Sequence, residues 1–391
     1  MRFSKHLAVT AVVTLVGGIA APGIAVAGTG PSWVIQSTPS PGGQSASQGS
    51  ILLGVSCPSA VACTAVGGYA PRHGAIVTLA ERWNGRKWVV QPMPRVKVGA
   101  LYGVSCSSAR ACIAVGYGPR GTLAERWNSR RWVVQPTPNP SGSKDGVLVG
   151  VSCSSATACT AVGNSNATGS KFDTVAERWN GTKWVLQSTP NPVTNGSELL
   201  GVSCSSATSC TAVGDNNISD SRSDTLAEHW NGAKWSVQAT PQHPHGDESE
   251  LTGVSCRSAT ACTAVGNSGS INGTVTLAER WNGRKWVVQP TPSPSGTNPS
   301  GTSEGELAGV SCSSAKACIA VGDYYNRSGT QVTLAERWNG RNGAVQRTPN
   351  PPDDGASLLK GVSCSSAAAC TAVGPYIKKS GAEPTLAERY S

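Results

Sequence analysis

Short apolar runs alternate with turn-forming residues along this chain, and the alternation repeats every 51 residues or so, about the mean step between Cys57 and Cys364. Each unit opens with G-V-S-C-x(5)-C-x-A-V-G and continues into L-A-E-R-W-N-G-x-x-W-x-V-Q-x-x-P. In the third unit, Val149–Cys153, Ala158–Val162, Thr174–Trp179 and Trp184–Gln187 are short and rich in Val, Thr or Trp, which predicts four strands. Asn180-Gly181, between the third and fourth, is a strong hairpin signal because both residues tolerate positive φ. No segment between repeats has helical periodicity. Four antiparallel strands in a unit of this length match a propeller blade, whereas a β-solenoid needs a much shorter repeat.

The chain ends sharpen this expectation. The last unit stops at Leu386-Ala387-Glu388-Arg389-Tyr390 and has no fourth strand, while Ser32–Pro39 reads as a fourth strand with nothing before it. Pairing the two fragments removes exposed sheet edges. The expected fold is therefore all-β: a seven-bladed β-propeller of four-stranded antiparallel blades, with the N-terminal strand (32–38) completing the last blade and the repeats running from 51 to 391. Ahead of it, Arg2, Lys5 and His6 precede an uncharged run, and Ala25-Val26-Ala27 offers a cleavage site, so residues 1–27 are expected to be a secretory signal and 28–391 one domain.

A secreted chain places its 14 cysteines in an oxidising compartment. They fall into pairs, each at the tip of the hairpin between strands one and two: Cys57/Cys63, Cys106/Cys112, Cys153/Cys159, Cys204/Cys210, Cys256/Cys262, Cys312/Cys318 and Cys364/Cys370. Each unit offers two thiols and no nearby His, which argues against zinc and for a local disulfide contributing about 2 kcal/mol by chain entropy.

The G-V-S-C-S-S-A-x-x-C-x-A-V-G and W-N-G-x-x-W blocks resemble the repeats of secreted actinobacterial β-propeller proteins over nearly the whole mature chain. More distantly they are similar to the blades of BNR-repeat sialidases and of photosystem assembly-factor propellers. Against the sialidase Asp-box, S-x-D-x-G-x-T-W, Gly85 and Trp88 match, but Glu81 stands at the Ser position and Trp83 at the Asp position. That resemblance implies a hairpin placement and no catalytic residue.

Charge adds a polarity. The turns between strands one and two and between three and four hardly change between copies; they carry Arg86, Lys87, Arg110, Arg130, Arg131, Lys183, Lys234, Arg257, Arg284, Lys285, Lys316 and Arg341 and no acid. The opposite connections vary, as in Asn164–Asp173, Asp215–Asp224, Gln242–Glu250 and Ser293–Glu306. One constant basic face and one variable recognition face are expected. The basic face suits an anionic cell-wall polymer or membrane surface; nucleic acid is not expected, because no helix is available to enter a groove. A monomer is expected.

Candidate chemistry is sparse. The recurrent Glu of L-A-E-R, from Glu81 to Glu388, sits beside Arg or His and reads as a repeated structural ion pair rather than a glycosidase dyad. His243, His245, Asp247, Glu248 and Glu250 have a spacing that could take a divalent metal, but Pro244 and Gly246 fit a solvated loop equally. Asp215, Asn216 and Asn217 with Asp220 and Asp224 are oxygen-rich but lack the glycine and terminal Glu of an EF-hand. No catalytic residue, metal or cofactor is expected. The paired Trp residues are expected to pack between blades. Tyr69, Tyr117, Tyr324, Tyr325 and Tyr376 follow A-V-G at the exit toward the variable face; with Asp215 and Asp323 they form the expected ligand-binding set, since aromatic rings beside Asp and Asn suit sugars. The expected function is non-catalytic binding or scaffolding of an extracellular glycan or protein, with a carbohydrate-active hydrolase or lyase as the alternative.

Overall fold

The computed structural model describes residues 31–42, 49–71, 74–140, 145–166, 171–193, 195–219, 222–243, 248–270, 273–292, 294, 303–340, 342–352 and 354–391. The expected signal segment and residues Asp220, His245, Asp247 and Arg341 lie outside the described residues. Ser32–Ser391 form one compact unit.

This unit is all-β and built from repeated four-stranded antiparallel sheets. In the third repeat the strands are Val147–Ser155, Ala158–Ser165, Asp173–Trp179 and Trp184–Gln187, each antiparallel to the next. The second strand is covered on both faces, so C-x-A-V-G is continuously apolar rather than alternating. The last repeat departs from this pattern: its first strand is split into Asp354–Ser357 and Gly361–Ser366. Trp33–Gln36 pairs antiparallel with its third strand, Thr385–Tyr390, with Trp33 opposite Tyr390 as Trp184 is opposite Trp179. Trp33 Nε1 donates to Gln346 of the sixth repeat (3.1 Å), just as Trp235 donates to Gln187 and Trp286 to Gln238.

From the fourth repeat onward the sheets are not separate. Ser223 pairs in parallel with Glu248, Gly273 and Thr274 with Ser303 and Glu304, and Gln331 with Ala356. These contacts link seventeen strands into one hydrogen-bonded set. Each link is only one or two residues long and arises because these strands extend past the common repeat into the variable connections.

The cores lie between sheets. Val66 and Ala80 of the first repeat pack with Leu101, Val104, Trp127 and Trp132 of the second, and Val373 and Ala387 of the last pack with Leu52, Trp83 and Trp88 of the first. Burying each such leucine contributes roughly 1.5–3 kcal/mol. The serine of G-V-S-C tethers neighbours: Cys106 N–H donates to Ser56 Oγ (3.0 Å), Cys153 N–H to Ser105 Oγ (2.9 Å), and so on to Cys364 N–H with Ser311 Oγ and Cys57 N–H with Ser363 Oγ, both 2.9 Å. The preceding glycine permits that approach. A methyl group on Gly54 would sit 2.6 Å from the Tyr102 carbonyl oxygen, and one on Gly361 would sit 2.8 Å from that of Leu53.

All fourteen cysteines form the seven local disulfides expected: Cys57–Cys63, Cys106–Cys112, Cys153–Cys159, Cys204–Cys210, Cys256–Cys262, Cys312–Cys318 and Cys364–Cys370. Each pair sits at the end of the hairpin between strands one and two, as expected: in the third repeat Cys153 stands opposite Cys159 and only Ser155 and Ala158 pair beyond them. The second cysteine of each pair is a core residue: Cys63, Cys112, Cys159, Cys210 and Cys262 are 1–3% exposed, and Cys318 and Cys370 are buried with them. The cause is the covered second strand, on which this cysteine directly precedes the apolar x-A-V-G run. These sulfurs also face the adjacent repeat. Thr371 Oγ1 lies 3.5 Å from Cys63 Sγ, Thr64 Oγ1 3.8 Å from Cys112 Sγ, Thr160 Oγ1 3.5 Å from Cys210 Sγ and Thr211 Oγ1 3.7 Å from Cys262 Sγ, while Cys159 packs in the core with Ile113. The disulfides are thus part of the packing between sheets.

The Asn-Gly hairpin forms where expected, though only its glycine takes a positive φ. Gly181 has φ +95° but Asn180 does not join it in the left-handed region; its side-chain oxygen instead accepts the backbone N–H of Thr182 (3.0 Å) and Lys183 (2.9 Å). The Trp pairs pack toward the adjacent repeat as expected: Trp83 and Trp88, ring centres 5.9 Å apart, join the core that includes Val373 and Ala387 of the last repeat.

Candidate functional site

The repeat breaks at the end carrying the variable connections. The residue before the core leucine of the first strand is Ile51, Ala100, Val147, Glu198, Glu250, Glu306 and Leu358 in turn. Opposite it on the second strand, in the first six repeats, stand Gly68, Tyr117, Asn164, Asp215, Asn267 and Asp323. Repeats four to six thus bring five carboxyl groups to equivalent places, facing apolar or aromatic residues in repeats one and two. Sequence reasoning named Asp215 and Asp323 but missed Glu198, Glu306 and Lys360; three consecutive Glu residues before a recurrent leucine were the available signal.

Hydrogen bonds tie this arc together. Asn164 Nδ2 donates to Glu198 Oε2 across a repeat boundary (2.7 Å), and Asn267 Nδ2 donates to Glu250 Oε1 (2.7 Å). Lys360 Nζ lies 2.6 Å from Glu306 Oε1 and 3.5 Å from Asp323 Oδ1, and Gln331 also donates to Asp323. Asp215 is 9% exposed. Burial, then the charges of Glu198 and Glu250, push its carboxyl up to about 7. Burial and Glu306 raise Asp323 to about 7 against the opposing pull of Lys360. Glu198 is raised by burial and by Glu250. Such an arc can accept a cationic group, which would relieve the mutual repulsion. Among the described residues no three His, Cys, Asp or Glu converge closely enough to ligate one metal ion.

The tyrosines are spread around the same end. Tyr69, Tyr324 and Tyr376 pack half-buried against the cores of the first, sixth and last repeats. Tyr117 lies 6.1 Å from the Tyr102 ring, and Tyr325 stands opposite Gln331. The candidate metal loop is divided: His243 Nε2 meets Glu279 Oε1 at 2.9 Å, while Glu250 binds Asn267. Asp224 pairs with Arg222 at 3.2 Å.

The expected Glu–Arg ion pair does not form. Adjacent strand residues point to opposite faces. Glu81, Glu125, Glu177, Glu228, Glu279, Glu336 and Glu388 are all 0% exposed, whereas Arg82 reaches the next repeat, donating to the Ala109 carbonyl (2.6 Å) with its guanidinium 5.8 Å from the Trp127 ring centre. Arg126 and Arg178 lie likewise over Trp179 and Trp230. Both carboxyl oxygens of Glu81 and Glu228 lack a well-formed hydrogen bond, and burial pushes each of these groups up to about 8. Glu279 differs, accepting from Thr225 (3.1 Å) and meeting His243.

No protein-family model matches the chain, and no curated protein does. Among solved structures, one described as the structure of U3-55K aligns over 93% of this chain and 100% of its own, with TM-score 0.57 and 12% identity. YCF48 from Cyanidioschyzon merolae aligns over 91% and 98%, with TM-score 0.53 and 12% identity. YCF48 bound to D1 peptide aligns over 92% and 96%, with TM-score 0.52 and 11% identity. At these identities the likeness is one of fold: an all-β chain of repeated four-stranded antiparallel sheets, similar to β-propeller proteins.

Proposed function

We propose that the mature chain is a secreted, non-catalytic binding propeller of seven blades, closed by Trp33–Gln36 in the last blade, and that its variable end binds an extracellular protein. The ring reading draws support from the Ser–Cys tethers, which run from repeat to repeat and return from Ser363 to Cys57. Seven disulfides and the absence of any membrane-crossing helix among the described residues are consistent with secretion. The observation that carries the binding reading is the acidic arc Glu198, Asp215, Glu250, Glu306 and Asp323 on an otherwise repeated scaffold. It favours a protein ligand presenting Lys or Arg over a neutral glycan, because three of the five tyrosines turn a flank to the core. A peptide also occupies one neighbour of the same fold. The basic constant end is proposed as a separate attachment surface for an anionic cell-wall polymer or membrane.

A peptide array and a glycan array, probed with the mature protein alongside polysaccharide turnover assays, test this reading. Cationic peptides should be retained, more tightly at pH 8 than at pH 6 because Asp215 ionises near 7. The triple variant Glu198→Gln, Asp215→Asn, Glu250→Gln should lose them. Retention of neutral glycans alone, or turnover of a polysaccharide, overturns the reading; turnover would favour the hydrolase alternative.

A further inference from the structure

Between the first and second repeats the variable end holds a second, oppositely charged feature. From Gly116 of A-V-G to Leu123 of L-A-E-R is seven positions, against eleven or twelve in the other six repeats. The second repeat therefore turns directly from Ala111–Gly118 into Gly121–Trp127 through Pro119 and Arg120, with Gly121 at φ +100°. The missing cover leaves a groove of about 680 Å³. Leu123 is 6% exposed there, the most among the seven equivalent positions, while Leu79 and Leu334 are 0% exposed.

The groove has a built floor and a charged rim. Val96, Leu123, Val134 and Pro136 supply its apolar part, and Arg95, Lys97 and Arg120 its charge. Val96 packs against the core shared by these two repeats, so the two bases flanking it are held outward at the rim. The loop is pinned beyond them by Gly99 N–H donating to the Ile76 carbonyl (2.9 Å). Arg120 is fixed by Asn139, whose Nδ2 donates to the Arg120 carbonyl (2.7 Å) and whose Oδ1 accepts from Thr122 N–H (2.8 Å). No acidic residue lines the groove. None of the three bases forms an ion pair among the described residues.

We propose that this groove binds an acidic peptide segment, an apolar side chain seated on Val96, Leu123 and Val134 with flanking carboxylates held by Arg95, Lys97 and Arg120. Charge complementarity selects an anion, and the apolar floor selects one with an aliphatic body. An anionic glycan fits less well because no aromatic ring lines the groove for a sugar face to stack on. The proposal rests on the protein-binding reading above, but it concerns different residues and a ligand of opposite charge, so the two can fail separately.

A fluorescein-labelled peptide, acetyl-Glu-Leu-Glu-Leu-Glu-amide, titrated with the mature protein tests the groove by anisotropy. Saturable binding is expected, lost when Gln replaces Glu in the probe. It should weaken at least about tenfold in the variant Arg95→Glu, Lys97→Glu, Arg120→Glu. A second variant, in which Pro119 and Arg120 are replaced by the longer connection of the sixth repeat, should abolish binding by covering the floor while Arg95 and Lys97 remain. Unchanged binding in both variants overturns the proposal, as does displacement by oligoglucuronate at the concentration at which unlabelled peptide competes, which would make an anionic glycan the occupant. No binding of the acidic probe, with cationic peptides still retained by the acidic arc, sinks the groove alone. Failure of both probes sinks the binding reading with it.

Discussion

A glutamate without an ionic partner is costly to bury as an anion, and this chain buries one in every repeat but the fifth, where His243 meets Glu279. Desolvation answers the problem by neutralising them: Glu81, Glu177, Glu228, Glu336 and Glu388 are pushed up to about 8 and Glu125 to about 7. Threonine hydroxyls oppose the rise at Glu125, Glu177, Glu336 and Glu388, but burial outweighs them. The unfolded chain releases these protons near the ordinary 4.5. Between 4.5 and 8 the folded form therefore binds more protons than the unfolded one, so this contribution is full below 4.5 and declines as pH rises toward 8. Thermal melts at pH 5, 6.5 and 8 should show falling stability. Glu81→Gln should raise the melting temperature at pH 8 by about 2–4 °C and change little at pH 5. Equal effects of Glu81→Gln at both pH values would show that its proton is not linked to folding.

At the scale of strands and turns, the N-terminal strand Trp33–Gln36 is the sharpest case. Trp33 is 5% exposed, pairs with Tyr390 and reaches Gln346, so Ser32–Pro39 contributes ladder hydrogen bonds and a buried indole to the last sheet. Deleting these eight residues should lower the melting temperature by about 5 °C or more, since losing a buried Trp alone costs roughly 3–5 kcal/mol. Deleting an equally long stretch of a variable connection should cost far less, and equal losses in differential scanning calorimetry would refute the closing role. Strand order and disulfide pairing were legible because they repeat: a six-residue Cys spacing within one hairpin leaves little freedom of partner. The burial of Cys63 and its equivalents was not, because the covering residues, such as Thr371 over Cys63, come from the adjacent repeat. The Arg82 contact with Trp127 was hidden for the same reason, spanning a repeat boundary 45 positions away. The Glu–Arg error had a local remedy, since neighbours on a strand cannot share a face. The acidic arc and the short second-repeat turn were both visible as breaks in an aligned position, Glu198 before Leu199 and Gly116 too close to Leu123. The parallel links such as Ser223 with Glu248 depend on how far two connections extend in space, which no local pattern encodes.

Across the whole domain, charge is segregated by the end of the strands on which it falls. Of the twelve bases on the constant turns, eleven are described; each is exposed, and none forms an ion pair among the described residues. The tightness of these turns leaves the side chains little to do but face water: Asn84 and Asn128 satisfy the turn backbone with their own oxygens, freeing Arg86, Lys87, Arg130 and Arg131 from any structural duty. Six such turns, with the basic turns between strands one and two beside them, build a field that no single pair of charges would, and that field falls off over about 10 Å at 0.1 M salt. If it holds the protein on an anionic polymer, attachment to vesicles containing a fifth phosphatidylglycerol, or to isolated teichoic acid, should weaken steeply between 0.05 and 0.5 M NaCl. Arg86→Glu, Lys87→Glu, Arg130→Glu, Arg131→Glu, Arg284→Glu and Lys285→Glu together should abolish it. Peptide retention at the variable end should survive, because the acidic arc and the groove between the first two repeats lie at the other end of the strands. Attachment that persists in high salt or survives the sixfold reversal would leave the basic end with solubility as its only role.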